Sequence, residues 1–297
     1  MDVVMDDGVR LRTWTGSGTG RPVVLINGGP GLPDYLAPVA GLVEHLGVVH
    51  RYDQRGTGGS RWDGEHTLGR HVRDLSLLLD AWGHRTAVLV GHSYGTELAC
   101  RFLLAHPERV AGLVLIAGPF VEPWREADRA AQRERRTGAQ QARLEELDGI
   151  AGRTEAEEVE YLTLAWFTDH ADRTRAWDWA HASALGVRPV NYTMNRQLNA
   201  AGRADPLESH LDELRERLPP GTVIIGGAGD SRPAEALRRL GDRLGCAVVI
   251  VPGAGHSPWL EDPSGFGRQL EQALDLGQAA ARDVRPEGPG VGMGAAG

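Results

Sequence analysis

The chain contains no lysine; all 32 of its basic residues are arginine. No side chain can therefore form a Schiff base with a carbonyl substrate or hold pyridoxal phosphate, and no Walker A lysine exists to reach a nucleotide phosphate. Cysteine is nearly as scarce. Cys100 and Cys246 are far apart in sequence, and Cys100 falls in a predicted core helix, so a buried free thiol is expected rather than a disulfide. No apolar run approaches the ~18 residues of a membrane span, and the N-terminus lacks a basic stretch followed by an apolar one, so no membrane partner and a cytoplasmic location are expected. A net charge of −8 argues against nucleic acid or an anionic surface as a partner. H-E-x-x-H and comparable ligand spacings are missing, so neither a metal nor another cofactor is expected. No internal repeat is present. What remains is a chain of 297 residues, 41% hydrophobic, long enough for one large α/β core with an inserted cap.

The most informative stretch is Gly91-His92-Ser93-Tyr94-Gly95. The apolar run Ala87–Val90 precedes it and reads as a strand; Thr96–Ala105 follows it, with apolar Leu98, Phe102 and Ala105 at helical spacing. Strand, G-x-S-x-G and helix together make a nucleophile elbow, a turn so tight that the serine must adopt a strained backbone. Other segments follow the same alternation. Asp7-Gly8 predicts a hairpin turn within residues 1–15. Pro22–Ile26, Val48–Tyr52 and Val110–Ile116 read as strands, Pro33–Leu46 and Thr67–Trp82 as helices. Such alternation predicts a mostly parallel sheet with helices on both faces, whose ligands sit at the carboxyl ends of the strands.

The alternation stops near Glu122 and resumes near Gly221. The predicted organisation is a core of residues 1–121 and 206–281, a helical cap of residues 122–205, and a Gly- and Pro-rich disordered tail from 282 to 297. Within the cap, Arg125–Leu147 reads as one charged helical stretch. After it, Thr222–Ile225 and Ala247–Val251 read as strands, Pro233–Leu244 and Phe266–Leu276 as helices.

Asp230 and His256 each follow one of these late strands, so Ser93, Asp230 and His256 come in the order serine, acid, histidine on one sheet edge. A serine hydroxyl needs a base to take its proton, imidazole titrates near neutrality, and a carboxylate fixes the imidazole tautomer. Glu122, after the preceding strand, is the reserve acid. An oxyanion hole is expected from the backbone amides of Gly29 and Tyr94.

These motifs carry a resemblance. Asn27-Gly28-Gly29-Pro30-Gly31, Asp53-Gln54-Arg55-Gly56-Thr57-Gly58-Gly59-Ser60, the elbow, Gly229-Asp230 and Gly255-His256 together resemble an α/β-hydrolase, and more narrowly the proline iminopeptidase group. The group has histidine where this chain has Asn27, and a cap glutamate in an A-W-x-x-W-E pattern where this chain has Ala180 at the end of Arg175-Ala176-Trp177-Asp178-Trp179. The resemblance implies a cofactor-free serine hydrolase acting on a small-molecule or short peptide substrate, first an aminoacyl amide such as an N-terminal prolyl group. A small ester or lactone is the alternative, and a non-peptidase role in a biosynthetic pathway a further one. Gly28, Trp166, Trp177 and Asp178 are the expected substrate contacts, with Asp169 and Glu160 as further cap acids for an ammonium group. The sequence leaves the oligomeric state open.

Overall fold

The computed structural model describes residues 2–283, with side chains through residue 275. Short apolar runs dominate its centre. β3 (Pro22–Ile26), β5 (Ala87–His92) and β6 (Val110–Ile116) are buried along nearly their whole length, as strands covered on both faces must be. With β1 (Asp2–Val4), β2 (Arg10–Thr15), β4 (Val48–Tyr52), β7 (Val223–Gly227) and β8 (Ala247–Val251) they form one sheet in the order β1-β2-β4-β3-β5-β6-β7-β8. β1 and β2 are antiparallel and close one edge; from β4 to β8 every pairing is parallel.

The two-residue period of a strand sorts its side chains onto two cores. Val24, Ile26, Leu89, Leu113 and Leu115 face one side. There they pack on α2 (Leu68–Ala81), α3 (Tyr94–Ala105), α9 (Leu211–Arg217) and α10 (Ala234–Leu244). Val23, Leu25, Val88, Val90 and Val114 face the other, against α1 (Ala37–Val43) and α12 (Pro263–Asp283). Each large side chain so buried contributes about 1.5–3 kcal/mol. Because the strands are parallel, the loops after β3, β4, β5, β6, β7 and β8 all open at one edge.

Between β6 and β7 the chain is helical: α4 (Arg125–Arg135), α5 (Gly138–Asp148), α6 (Glu155–Trp166), a 3-10 turn at Phe167–Asp169, α7 (Ala176–Gly186) and α8 (Tyr192–Ala204), then a second 3-10 turn at Leu207–His210 that leads into α9. This insertion carries two small apolar clusters of its own, one around Leu147, Leu164 and Phe167, the other around Val159 and Leu162. A short α11 (Pro258–Glu261) precedes α12. Among the described residues no helix is long and apolar enough to cross a membrane. Both cysteines are free, Cys100 buried and Cys246 half-buried.

Several elements depart from their expected extents; β5 and β7 each run two residues further than expected, to His92 and Gly227. The helix expected over Pro33–Leu46 begins only at Ala37, because the Asp34 amide donates to Asp53 Oδ1 and the Leu36 amide to Asp34 Oδ1, which holds Asp34 and Tyr35 in a turn. The charged stretch Arg125–Leu147 is two helices, broken where Thr137 makes a reciprocal cap with Gln140. The elbow helix starts two residues early, at Tyr94. The closing helix runs from Pro263 to Asp283 and so takes in the first two residues of the expected tail; the rest of that tail lies outside the described residues.

Candidate active site

Ser93 stands between β5 and α3 with φ 54° and ψ −123°, outside the regions that side-chain-bearing residues favour. Such a backbone costs on the order of 1–3 kcal/mol and persists only where its surroundings hold it. Here a Cβ on Gly91 would sit 2.5 Å from the Gly95 carbonyl oxygen, and one on Gly95 would sit 2.1 Å from that of Ile26. Both glycines of the motif are therefore required by close approach. The Ser93 amide donates to the Ile116 carbonyl at 2.9 Å and anchors the elbow to the neighbouring strand.

Asp230, after β7, and His256, after β8, are each 8% exposed. Their loops place Asp230 Oδ2 2.7 Å from His256 Nδ1, and His256 Nε2 3.0 Å from Ser93 Oγ. A carboxylate can only accept, so His256 Nδ1 carries the proton and Nε2 presents its lone pair to the serine hydroxyl. Burial pushes the Asp230 carboxyl up, but the facing His256 ring and the Arg232 guanidinium outweigh it and hold the group well below the usual carboxylate range. Arg232 Nη1 donates to Asp230 Oδ1 at 3.1 Å and to Asp169 Oδ1 at 3.0 Å. Glu122, the reserve acid, is exposed; its carboxylate accepts from the Trp124 amide and pairs with Arg125, and Asp230 alone of the two faces His256.

Two cavities meet at Ser93. One, about 470 Å³, is lined by Leu32, Tyr35, Trp166, Trp179, Val187 and Trp259 and includes His256. The other, about 400 Å³, is lined by Tyr94, Glu97, Phe120, Trp124, Asn199 and Glu208. Gly29, Ser93 and Arg232 border both. Tyr94 opens α3, so its amide is one of those at a helix start with no intrahelical acceptor.

The model of the alpha/beta hydrolase family matches residues 23–268. The chain belongs to the alpha/beta hydrolase family. A Caulobacter vibrioides protein named as a carbamate hydrolase, RutD, is 28% identical over 277 residues, which cover 91% of this hydrolase and 96% of that protein. Among solved structures, a thermophilic esterase from Thermogutta terrifontis is 23% identical, with TM-score 0.66, over 93% of this chain and 99% of that one. A proline iminopeptidase from Mycobacterium smegmatis is 20% identical, with TM-score 0.67, over 95% and 99%. At these identities the solved structures establish the shared fold.

Of the substrate contacts expected in this hydrolase, Trp166 lines the larger cavity. Trp177 and Asp178 do not reach it. Helix α7 buries Ala176, Ala180 and Ala184 against the insertion, which turns Trp179, Ser183 and Gly186 toward the cavity and leaves Trp177 (42% exposed) and Asp178 on the outer side. Gly28 lines neither cavity; its amide donates to Tyr35 Oη at 2.8 Å. Asp169 lines the larger cavity but is bonded to Arg232, and Glu160 pairs with Arg143 on the surface. Sequence reasoning missed Tyr35, His92, Arg232, Trp259 and Glu261, and did not single out Trp179 from the other tryptophans of the cap. Trp179 was within reach, since it shares a helical face with Ser183 and Gly186. The others meet the site only through the fold.

Proposed function

We propose that this protein is a serine hydrolase that cleaves an ester or amide through an acyl-enzyme, with Ser93 as nucleophile, His256 as base and Asp230 as its orienting carboxylate. The observation that carries this reading is the line Ser93 Oγ–His256 Nε2–His256 Nδ1–Asp230 Oδ2, in which the carboxylate leaves the imidazole only one tautomer. His256 takes the hydroxyl proton as Ser93 Oγ bonds to the carbonyl carbon. The oxyanion that forms lies toward the Gly29 and Tyr94 amides. On collapse the His256 proton passes to the leaving oxygen or nitrogen. Water then gives its proton to His256 and attacks the acyl carbon, and Ser93 regains its hydrogen. No step uses a metal or another cofactor.

An uncharged, apolar group of the substrate fits the larger cavity. Its lining is mostly aromatic and aliphatic, and its two carboxyls are already paired, Asp34 with Arg51 and Asp169 with Arg232. That supports an ester with an aromatic or branched group, in keeping with the esterase among the structural neighbours. One observation favours a second reading, an aminopeptidase. Glu97 and Glu208 line the smaller cavity, where the ammonium of an aminoacyl substrate would sit. The carbamate named for the relative is a third substrate for the same chemistry.

The test is a panel of aryl and short-chain esters, aminoacyl amides including prolyl, and carbamates, run on wild type and Ser93→Ala. The expected result is preferential turnover of aryl esters, lost in Ser93→Ala together with fluorophosphonate labelling. Labelling that persists at another serine would overturn the choice of nucleophile. Amide turnover that requires a free amine would establish the second reading.

A further inference from the structure

His92 precedes the elbow serine, is 2% exposed, and has no part in the chemistry proposed above. Its two ring nitrogens are nevertheless both engaged. Nε2 lies 2.9 Å from the His256 carbonyl oxygen and Nδ1 lies 2.7 Å from Tyr35 Oη. Tyr35 Oη in turn lies 2.8 Å from the Gly28 amide nitrogen.

Donor and acceptor chemistry leaves one arrangement of protons. A carbonyl can only accept, so His92 Nε2 carries the hydrogen. Burial first, then the neighbouring His256 ring, holds His92 neutral, so Nδ1 is an acceptor and the Tyr35 hydroxyl donates to it. The Tyr35 oxygen keeps a lone pair, which accepts the Gly28 amide. Three hydrogen bonds thus run in one sense, from the Gly28 amide through Tyr35 and His92 to the His256 backbone.

The segments they join are distant in sequence: 57 residues separate Tyr35 from His92, and 164 separate His92 from His256. Each end is next to, or part of, a reacting group. Gly28 adjoins Gly29, His92 adjoins Ser93, and the final acceptor is His256 itself. Aromatic packing restrains the line. Tyr35 and Trp259 both meet the His92 ring edge-on, at centroid distances of 5.6 and 4.7 Å. Both side chains also line the larger cavity, yet every N–H and O–H donor of the network is already spent inside the protein.

We propose that Tyr35 and His92 are positioning residues that hold the oxyanion loop, the Ser93 elbow and the His256 loop in one register. The proposal rests on the serine-hydrolase reading. A small misplacement of aligned groups costs about tenfold to a hundredfold in rate.

The experiment uses the full chain and an ester that wild type hydrolyses. Active sites are titrated with a fluorophosphonate, so that kcat is counted per competent serine, and KM and Tm are measured alongside. Tyr35→Phe keeps the ring and removes the central hydroxyl. It should lower kcat per site about tenfold or more, with KM within about threefold. His92→Phe should lose a similar factor, and the double variant no more than the worse single, because one line has been cut twice. His92→Gln, which supplies an amide donor and a carbonyl acceptor, should recover part of the rate. If His92→Phe does not fold, Tyr35→Phe alone decides. A purely structural role would lower Tm and the number of titrated sites while leaving kcat per site intact. That outcome, or losses that multiply in the double variant, would overturn the proposal while leaving the serine-hydrolase reading in place. Turnover that survives in a Ser93→Ala control would instead overturn that reading, and the proposal with it.

Discussion

The turn from Phe167 to Asp172 and the helices outside it belong to one insertion, yet they attach to the molecule by different physics. The turn is fastened by buried charge. Glu261, whose side chain is 1% exposed, accepts from the Ala171 and Asp172 amides at 2.8 and 3.0 Å and from the Gly255 amide at 2.7 Å. The Asp169 carbonyl accepts from the His256 amide at 2.8 Å, and its carboxylate meets Arg232. The turn is thereby part of the mount of His256. The outer helices α5 and α6 carry much of their charge near the surface, in pairs such as Arg143–Glu160 and Arg188–Glu155, while α4 turns one carboxylate, Asp128, inward to accept from Ser231 Oγ at 2.7 Å. A buried carboxylate that is removed leaves unpaired donors behind, whereas a solvated pair exchanges its partner for water. The same residue types therefore hold the proposed base, His256, in one place and keep a helix solvated in the other.

The comparison breaks most sharply at Asp230. Asp230→Asn removes the acceptor that fixes the His256 tautomer and should lower kcat by about 10⁴, the factor known for the equivalent change in a serine protease. Glu122→Gln, at the start of the insertion, should change kcat less than about threefold. A near-normal kcat for Asp230→Asn beside a collapsed Glu122→Gln would reverse the assignment.

Glu261→Ala tests the fastening of the turn. Three amides would lose a buried charged acceptor, so the expected destabilisation is about 3 kcal/mol or more, with a drop in kcat because the His256 loop loses its brace. Thermal melts and kcat give both readings. Unchanged kcat in a folded variant would show that the turn is not part of the mount.

Acid sharpens the contrast between core and outer helices. Burial, aided by His84, lowers His50 to about 4; burial, with His66 and two arginines, lowers His71 to about 3. Both take up protons more readily when unfolded, with a pKa near 6.5, so the stability they allow is complete above pH 6.5 and falls as pH drops toward their folded values. His71 alone should cost about 2 kcal/mol by pH 5. Glu160 is held below its ordinary range by its hydrogen bond with Arg143, so its contribution is lost only below about pH 4.5. Melts at pH 7.5, 6 and 5 should show Tm falling, with a shallower slope in His71→Asn. A flat Tm over that range would contradict the account.

The smallest effect is expected at Glu160→Gln. This exposed pair should shift Tm by less than about 2 °C and leave kcat unchanged. A large loss of activity would return Glu160 to the substrate contacts.

Local order fixed much of this molecule before any contact between distant segments was known. The apolar runs at Pro22–Ile26 and Ala87–Val90 had to be strands, because their length and residue types suit a pleat buried on both faces, and Ala247–Val251 has the same residue types although it lies half-buried at the sheet edge. Parallel strands bring their carboxyl ends to one edge, so Ser93, Asp230 and His256 were legible as a set, and the two elbow glycines announced the strained serine between them. The fold decided the rest. Which face of α7 meets the cavity depends on what Ala176, Ala180 and Ala184 pack against, which is why Trp179 and not Trp177 lines it. Tyr35 sits outside a helix because Asp53 captures the Asp34 amide. Glu261, Arg232 and His92 read in sequence as an ordinary acid, base and histidine, since a side chain's role follows from its burial and its partners. Those partners lie in segments up to 164 residues away, brought together only by tertiary packing.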